Sequence, residues 1–305
     1  MKSLFKHILV PLDGSGLAES ALPAAAYLSS KLNARVTLFH VIEKDAPGEI
    51  HGQRHLRDAG EAERYLREVS TRTFPPGTRV DLHVHTDEAE NVASSITEHA
   101  GELGPDLIVM CSHGRGGALH LFFGSIAHKV ISKGDVPVLV TRPGAAAEAL
   151  PEFSCNTLLL PIDEDPEHAQ AIPVAAELAK ACVGGLHLAM VVPDYESLSG
   201  ESAVMSRFLP GTMTEILEMS VHDAEAYLQA EVKKLEGRDI KVIAHVLRGD
   251  PAVVIDEFAR KLRAGLIIMA THGKSAMDAF WDSSVPHKVS SLSKVPLLLV
   301  PVKKK

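Results

Sequence analysis

The sequence predicts two tandem α/β domains, each a doubly wound sheet of five parallel strands. Three observations carry that expectation. An apolar run ending in His-Gly occurs twice, as Asp106-Leu-Ile-Val-Met-Cys-Ser-His-Gly114 and Gly265-Leu-Ile-Ile-Met-Ala-Thr-His-Gly273. Each is followed, after nine intervening residues, by Gly124-Ser125 or Ser283-Ser284. Self-similarity at a fixed period marks a duplicated unit. Other landmarks recur in the same order: Pro11-Leu-Asp13 with Pro161-Ile-Asp163, Tyr65-Leu66 with Tyr227-Leu228, and Val136-Pro137 with Val295-Pro296. Their offsets are 150, 162 and 159, so the second copy has a longer connection after its second strand. Finally, each half alternates short apolar runs with stretches of helical period, the pattern of βα units around a parallel sheet.

Taken in order, the strands of the first half are expected at about 6–12, 35–42, 79–85, 106–111 and 137–141. Those of the second half are expected at about 156–162, 185–192, 240–247, 265–270 and 296–301. Leu107 to Met110 and Leu297 to Val300 are apolar at every position, which suits strands covered on both faces. Ala62, Tyr65, Leu66 and Val69 fall at i, i+3, i+4 and i+7, and Ala224, Tyr227, Leu228 and Val232 nearly repeat the stripe, so both segments read as amphipathic helices. Pro23 and Pro173 predict a kink or a late helix start, because proline lacks the amide donor. Pro143 to Pro151 reads as the linker, dividing domains at 1–145 and 153–305. The polar stretches 43–60 and 193–213 read as long loops.

Composition narrows the function. The chain of 305 residues has 31 Lys and Arg against 39 Asp and Glu, a net charge of −8, with its only basic run at Lys303 to Lys305. That balance argues against a nucleic-acid face. The first residues lack the apolar core of a signal peptide and no run is long enough to span a bilayer, so a cytosolic protein with no membrane partner is expected. Three scattered cysteines, Cys111, Cys155 and Cys182, fit reduced thiols.

In a doubly wound sheet the ligand lies beyond the carboxyl ends of the strands. Four segments of the first copy meet there: Pro11-Leu-Asp13-Gly14-Ser15, Val41, Met110 to Gly117, and Gly124-Ser125. The set suits a nucleotide. Gly114, Gly116 and Gly117 allow backbone close to phosphate oxygens, and Ser125 with the amides of a helix start supplies anion donors. Arg115 suits the outer phosphates. Asp13 suits ribose or adenine, and Val41 a wall for the base. His113 is expected to orient its loop. The same residues also admit a ligand-free strand-to-helix turn, with Asp13 as a helix N-cap.

At these positions the chain resembles the universal stress protein family, specifically its tandem-domain members. The family motif, Gly-x2-Gly-x9-Gly-Ser/Thr, matches Cys111-Ser112-His113-Gly114, nine residues, then Gly124-Ser125, departing only at Cys111. The resemblance implies strand order 3-2-1-4-5 in an adenine nucleotide alpha hydrolase-like fold, bound ATP with or without Mg2+, and pairing of the domains through their fifth strands. It implies nucleotide contacts at Pro11, Asp13, Val41, Met110, Gly114, Gly124, Ser125 and Ile126. In the second copy Ala270 and Ser283 replace two motif glycines, and Glu164-Asp165 stand where Gly14-Ser15 do in the first. A structural or regulatory second domain is therefore expected.

Three functions remain open: a nucleotide-binding signalling module with an unidentified protein partner, a slow ATPase using Ser125 and Arg115, and a ligand-free assembly protein; whether chains also form a homodimer is left open. With no Gly-x4-Gly-Lys-Ser/Thr motif and no catalytic triad order, rapid turnover is not expected. His51 and His55 are four apart, and His83 and His85 share a strand face. Nothing in the sequence joins these pairs or Cys111 into a metal site, and none is assigned.

Overall fold

In chain order the first half runs β1 (His7–Pro11), α1 (Gly16–Glu19), α2 (Leu22–Leu32), β2 (Arg35–Glu43), a short hairpin of β3 (Glu49–Ile50) and β4 (Gln53–Arg54), α3 (Ala59–Thr73), β5 (Val80–Ala89), α4 (Val92–Leu103), β6 (Leu107–Cys111), α5 (Ser125–Lys133) and β7 (Val138–Thr141). The second half runs β8 (Thr157–Pro161), a 3-10 turn (His168–Gln170), α6 (Ala171–Cys182), β9 (Gly185–Val192), α7 (Gly200–Phe208), α8 (Pro210–Leu235), β10 (Lys241–Arg248), α9 (Pro251–Leu262), β11 (Leu266–Thr271), α10 (Val285–Leu292) and β12 (Leu297–Pro301). The computed structural model describes residues 5–44, 49–50, 53–54, 56–112, 124–142, 152–272 and 284–302.

The strands lie as β5-β2-β1-β6-β7 in the first repeat and β10-β9-β8-β11-β12 in the second, which is 3-2-1-4-5 in both. Pairing within the first five is parallel, with Ile8 opposite both Val36 and Leu107. β12 differs: it lies antiparallel to β7, Leu298 opposite Leu139, which makes the sheet mixed. The described residues form two compact units, and β12 groups with residues up to Ser154 in the first.

The wholly apolar runs become the core. All of β6 and β7 is buried, as are Ile8, Leu9 and Val10 of β1. Several helices begin where a short polar side chain satisfies the free amides. Asp58 accepts from Glu61 N at 2.9 Å, and Asn91 from Ser94 N at 3.2 Å. Some helices end in left-handed residues, Asn33 in α2 and Gly104 in α4. Val183 takes that conformation at the end of α6 and is 90% exposed, a placement that costs a β-branched residue about 1–2 kcal/mol.

The prolines produce late starts: Pro23 and Pro173 sit in the first turns of α2 and α6. Two expected loops are corrected. The 43–60 segment contains the β3–β4 hairpin, and 193–213 contains α7 and the start of α8. In the latter, the Tyr195 hydroxyl bonds the Pro210 carbonyl at 2.8 Å, and Pro210 suits the first helical position, where no amide bond is lost. All three cysteines are buried thiols, and no disulfide joins them. Among the described residues no helix is long and apolar enough to cross a membrane.

Five histidines, His7, His40, His83, His187 and His245, are held below the usual imidazole range, in each case chiefly by burial. The unfolded chain therefore binds protons more readily than the folded one below about pH 6.5. Stability is complete above that value and falls with pH towards the lowered folded values. His168 works in the opposite sense, since its raised value adds stability at lower pH. The melting temperature should hold above about pH 6.5 and drop steadily as the pH is lowered below it. A flat or rising profile would show that these imidazoles are not held neutral by the fold.

Candidate functional site

Where β1 ends, the backbone turns sharply. Gly14 has φ +86°, a conformation that favours glycine. A Cβ there would also press against Leu56 at 3.0 Å. Asp13 Oδ1 accepts from Ser15 N at 2.9 Å and from the Ser15 hydroxyl at 2.6 Å, while Ser15 Oγ accepts from Ala18 N. Ser15, rather than Asp13, is thus the N-cap of α1. Gly14 and Ser15 shape the turn that carries Asp13.

Beneath it lies His40, almost fully buried in β2. Its Nδ1 bonds the Leu12 carbonyl at 2.7 Å. Burial lowers its pKa against the opposing pull of the Leu12 and Leu56 backbones and of Asp13, so at neutral pH the ring is uncharged and Nδ1 donates. That bond fixes the residue preceding Asp13. Its sequence signal was a histidine inside an otherwise apolar run, Phe39-His40-Val41, which periodicity alone does not single out.

The other wall comes from β6 and α5. Ser112 N bonds Thr141 O at 2.8 Å, and Gly124 N bonds Ser112 O at 2.6 Å, which sets the start of α5 beside the end of β6. Gly124 is the N-cap and contributes no side-chain bond. His128 N bonds Gly124 O, the first bond of the helix. The amides of Ser125, Ile126 and Ala127 therefore precede the helical ladder, where an anion is favoured.

These pieces enclose a cavity of about 310 Å3. Pro11, Asp13, Val41, Met110, Gly124, Ser125 and Ile126 all line it, joined by Phe39, Cys111 and Ile96. Among the described residues, its charged lining is Asp13, Glu43, Glu90 and Lys129. Lys44 and Glu90 pair at 3.2 Å, with both side chains well exposed. His113, Gly114 and Arg115 lie outside the described residues, as do Gly116, Gly117, His51 and His55. His83 and His85 are brought instead to His99 of α4, with ring centroids 5.1 and 4.7 Å away.

In the second repeat, different side chains bond at the corresponding turns. His168 Nδ1 meets the Asp163 carboxylate at 2.7 and 2.9 Å, where Ser15 served Asp13. This hydrogen bond raises the His168 pKa against burial. Burial is the largest single influence on Asp163, but His168 and the backbone amides overcome it and hold the carboxyl below its usual range. At α10, the Ser284 hydroxyl accepts from His287 N, and Pro286 in the first turn has no amide to offer.

Comparison with known proteins matches both halves of the chain to one family. A model of the "Universal stress protein family" matches residues 4–142 and 155–301. A universal stress protein of Synechocystis is 35% identical over 138 residues, covering 45% of this chain and 85% of that protein. A universal stress protein E homolog of Haemophilus influenzae is 22% identical, covering 98% of this chain and 99% of that one. Among solved structures, a universal stress protein from Archaeoglobus fulgidus superposes with TM-score 0.66 at 18% identity over 99% of both chains. One from Pseudomonas aeruginosa reaches 0.68 at 17% identity over 98% of this chain and 94% of the other. At those identities the likeness speaks for the fold.

Proposed function

Because the chain belongs to the universal stress protein family, with two such domains in tandem, we propose that its first domain binds an adenine nucleotide, ATP, in the cavity between β1, β2, β6 and α5. The second domain serves a structural or regulatory role. The observation that carries this reading is the uncapped start of α5 opening on the cavity that Asp13 and Val41 also line. The phosphates take the amides of Ser125 to Ala127, and the base packs on Val41. The carboxylate of Asp13 accepts from the ribose or the base. Mg2+, where it accompanies ATP, neutralises the outer phosphates.

In this reading the protein acts in the cytosol as a binding module, and the output is a change of surface. Leu56, at the end of the 43–60 segment, packs against the Gly14 turn and joins Ile42, Ala62, Tyr65 and Val84 in one apolar cluster. A nucleotide that fixes Asp13 therefore also biases the position of that segment. The test is mass spectrometry of small molecules released on denaturation, together with thermal melts in added ATP. One adenine nucleotide per chain, or a stability gain of about 2.7 kcal/mol at a hundred times the dissociation constant, is expected. No released nucleotide and no shift with millimolar ATP would overturn the reading in favour of a ligand-free assembly protein.

A further inference from the structure

The two repeats differ most in the connection after their second strand. Aligned at Tyr65 and Tyr227, α8 begins eleven residues earlier than α3, and α7 precedes it. The shared part of α8 does what α3 does, burying Ala224, Leu228 and Leu235. Its extension buries only Met213 and Leu217, and α7 buries nothing fully. Covering the sheet does not account for this addition.

Instead it presents apolar side chains to solvent. Val204, Met205, Phe208, Leu209, Ile216 and Met219 are all exposed, Phe208 at 78% and Met219 at 64%. Large apolar side chains exposed together, rather than singly, mark contact surfaces on soluble proteins. The patch is also held in place. The Tyr195 hydroxyl bridges the Pro210 carbonyl and the Thr214 hydroxyl at 2.8 and 2.7 Å, and Leu209 N bonds Met205 O at 2.8 Å. Preformed order lowers the entropy lost on binding.

The charge around it is one-sided. From Asp194 to Glu225 the segment carries seven Asp and Glu, and Arg207 as its single Lys or Arg. Glu201, Glu215 and Glu218 are exposed beside the apolar residues. A second copy would bring these carboxylates against each other on a chain of net charge −8, and an anionic bilayer would be repelled in the same way. We propose that the α7–α8 segment docks an amphipathic helix of a partner protein, with an apolar face set on Phe208 and Met219 and flanking lysines or arginines paired to the glutamates.

The probe is a fluorescent amphipathic peptide of Leu and Lys, about five helical turns long, titrated against the full chain by anisotropy. A scrambled peptide of the same composition and a Leu/Glu counterpart are run beside it. Saturable binding of the Leu/Lys helix is expected, weakened at least about tenfold in Phe208→Ser/Met219→Ser with an unchanged circular dichroism spectrum. Leu/Glu should not bind. Equal binding by the scrambled peptide would reduce the effect to charge, and an unaffected double variant would place it elsewhere. Wild type that sediments as a dimer, dissociated by the double variant, would give the patch to a second copy. Any of these overturns the proposal.

Discussion

Gly124→Asp should weaken ATP binding at least about a hundredfold while leaving the unliganded protein as stable as before. A hundredfold is about 2.7 kcal/mol, within reach of losing one or two charge-assisted hydrogen bonds. Gly124 has φ −55° and ψ 155°, which any residue adopts, so the substitution introduces no backbone strain. As the residue before Ser125, the new aspartate becomes the N-cap, and its carboxylate accepts from the amides left open in the first turn. It thereby takes the place assigned to a phosphate and adds a negative charge where the ligand is most negative. Calorimetric titration with ATP and a melt of the free protein decide the matter. An affinity within threefold of wild type would remove the helix start from the site and leave the cavity without its phosphate anchor.

That substitution imitates what the second repeat has done on its own, and it shows where the sequence was legible. Most strand positions could be read because wholly buried strands leave unbroken apolar runs; the duplication was legible from its recurring motifs, and the strand order only through the family resemblance. Strand β12 was placed well, at Leu297–Pro301 against an expected 296–301. The loss of Ala270 and Ser283 as glycines was visible too. What closes the second helix start is subtler: the Ser284 hydroxyl turned onto His287 N and the missing amide of Pro286. These depend on side-chain direction, which a motif does not encode. His168 lies five residues from Asp163, and no periodicity links them. Helix α7 was hidden for a related reason. Its exposed residues trace no buried stripe, so a reading by amphipathic period sees a polar loop. Leu56 and His40 act through contacts distant in sequence with the turn after β1.

Phe39→Ala tests whether the cavity is held by the core or stands apart from it, and is expected to lower the stability of the first domain by about 3–5 kcal/mol. The ring is fully buried in β2 and forms part of the cavity wall. It lies 5.5 Å from the His83 ring and 4.9 Å from the His99 ring. Truncation leaves a void between the ligand cavity and that histidine cluster, and strands that twist as one unit relax only in part. Urea denaturation should show the transition of the first domain moved to lower concentration. Phe39→Leu, which keeps most of the volume, should recover much of the difference. A loss below about 1 kcal/mol would mean that the wall collapses freely. Water admitted to the void would also rehydrate His83, whose pKa is depressed chiefly by burial and then by His99 and His85. The variant should accordingly lose less stability than wild type on passing from neutral to mildly acid pH, because one fewer imidazole is kept neutral by the fold. If acid sensitivity is unchanged while stability falls, the missing ring supports the strands without shielding the histidines, and the burial of His83 comes from its other neighbours.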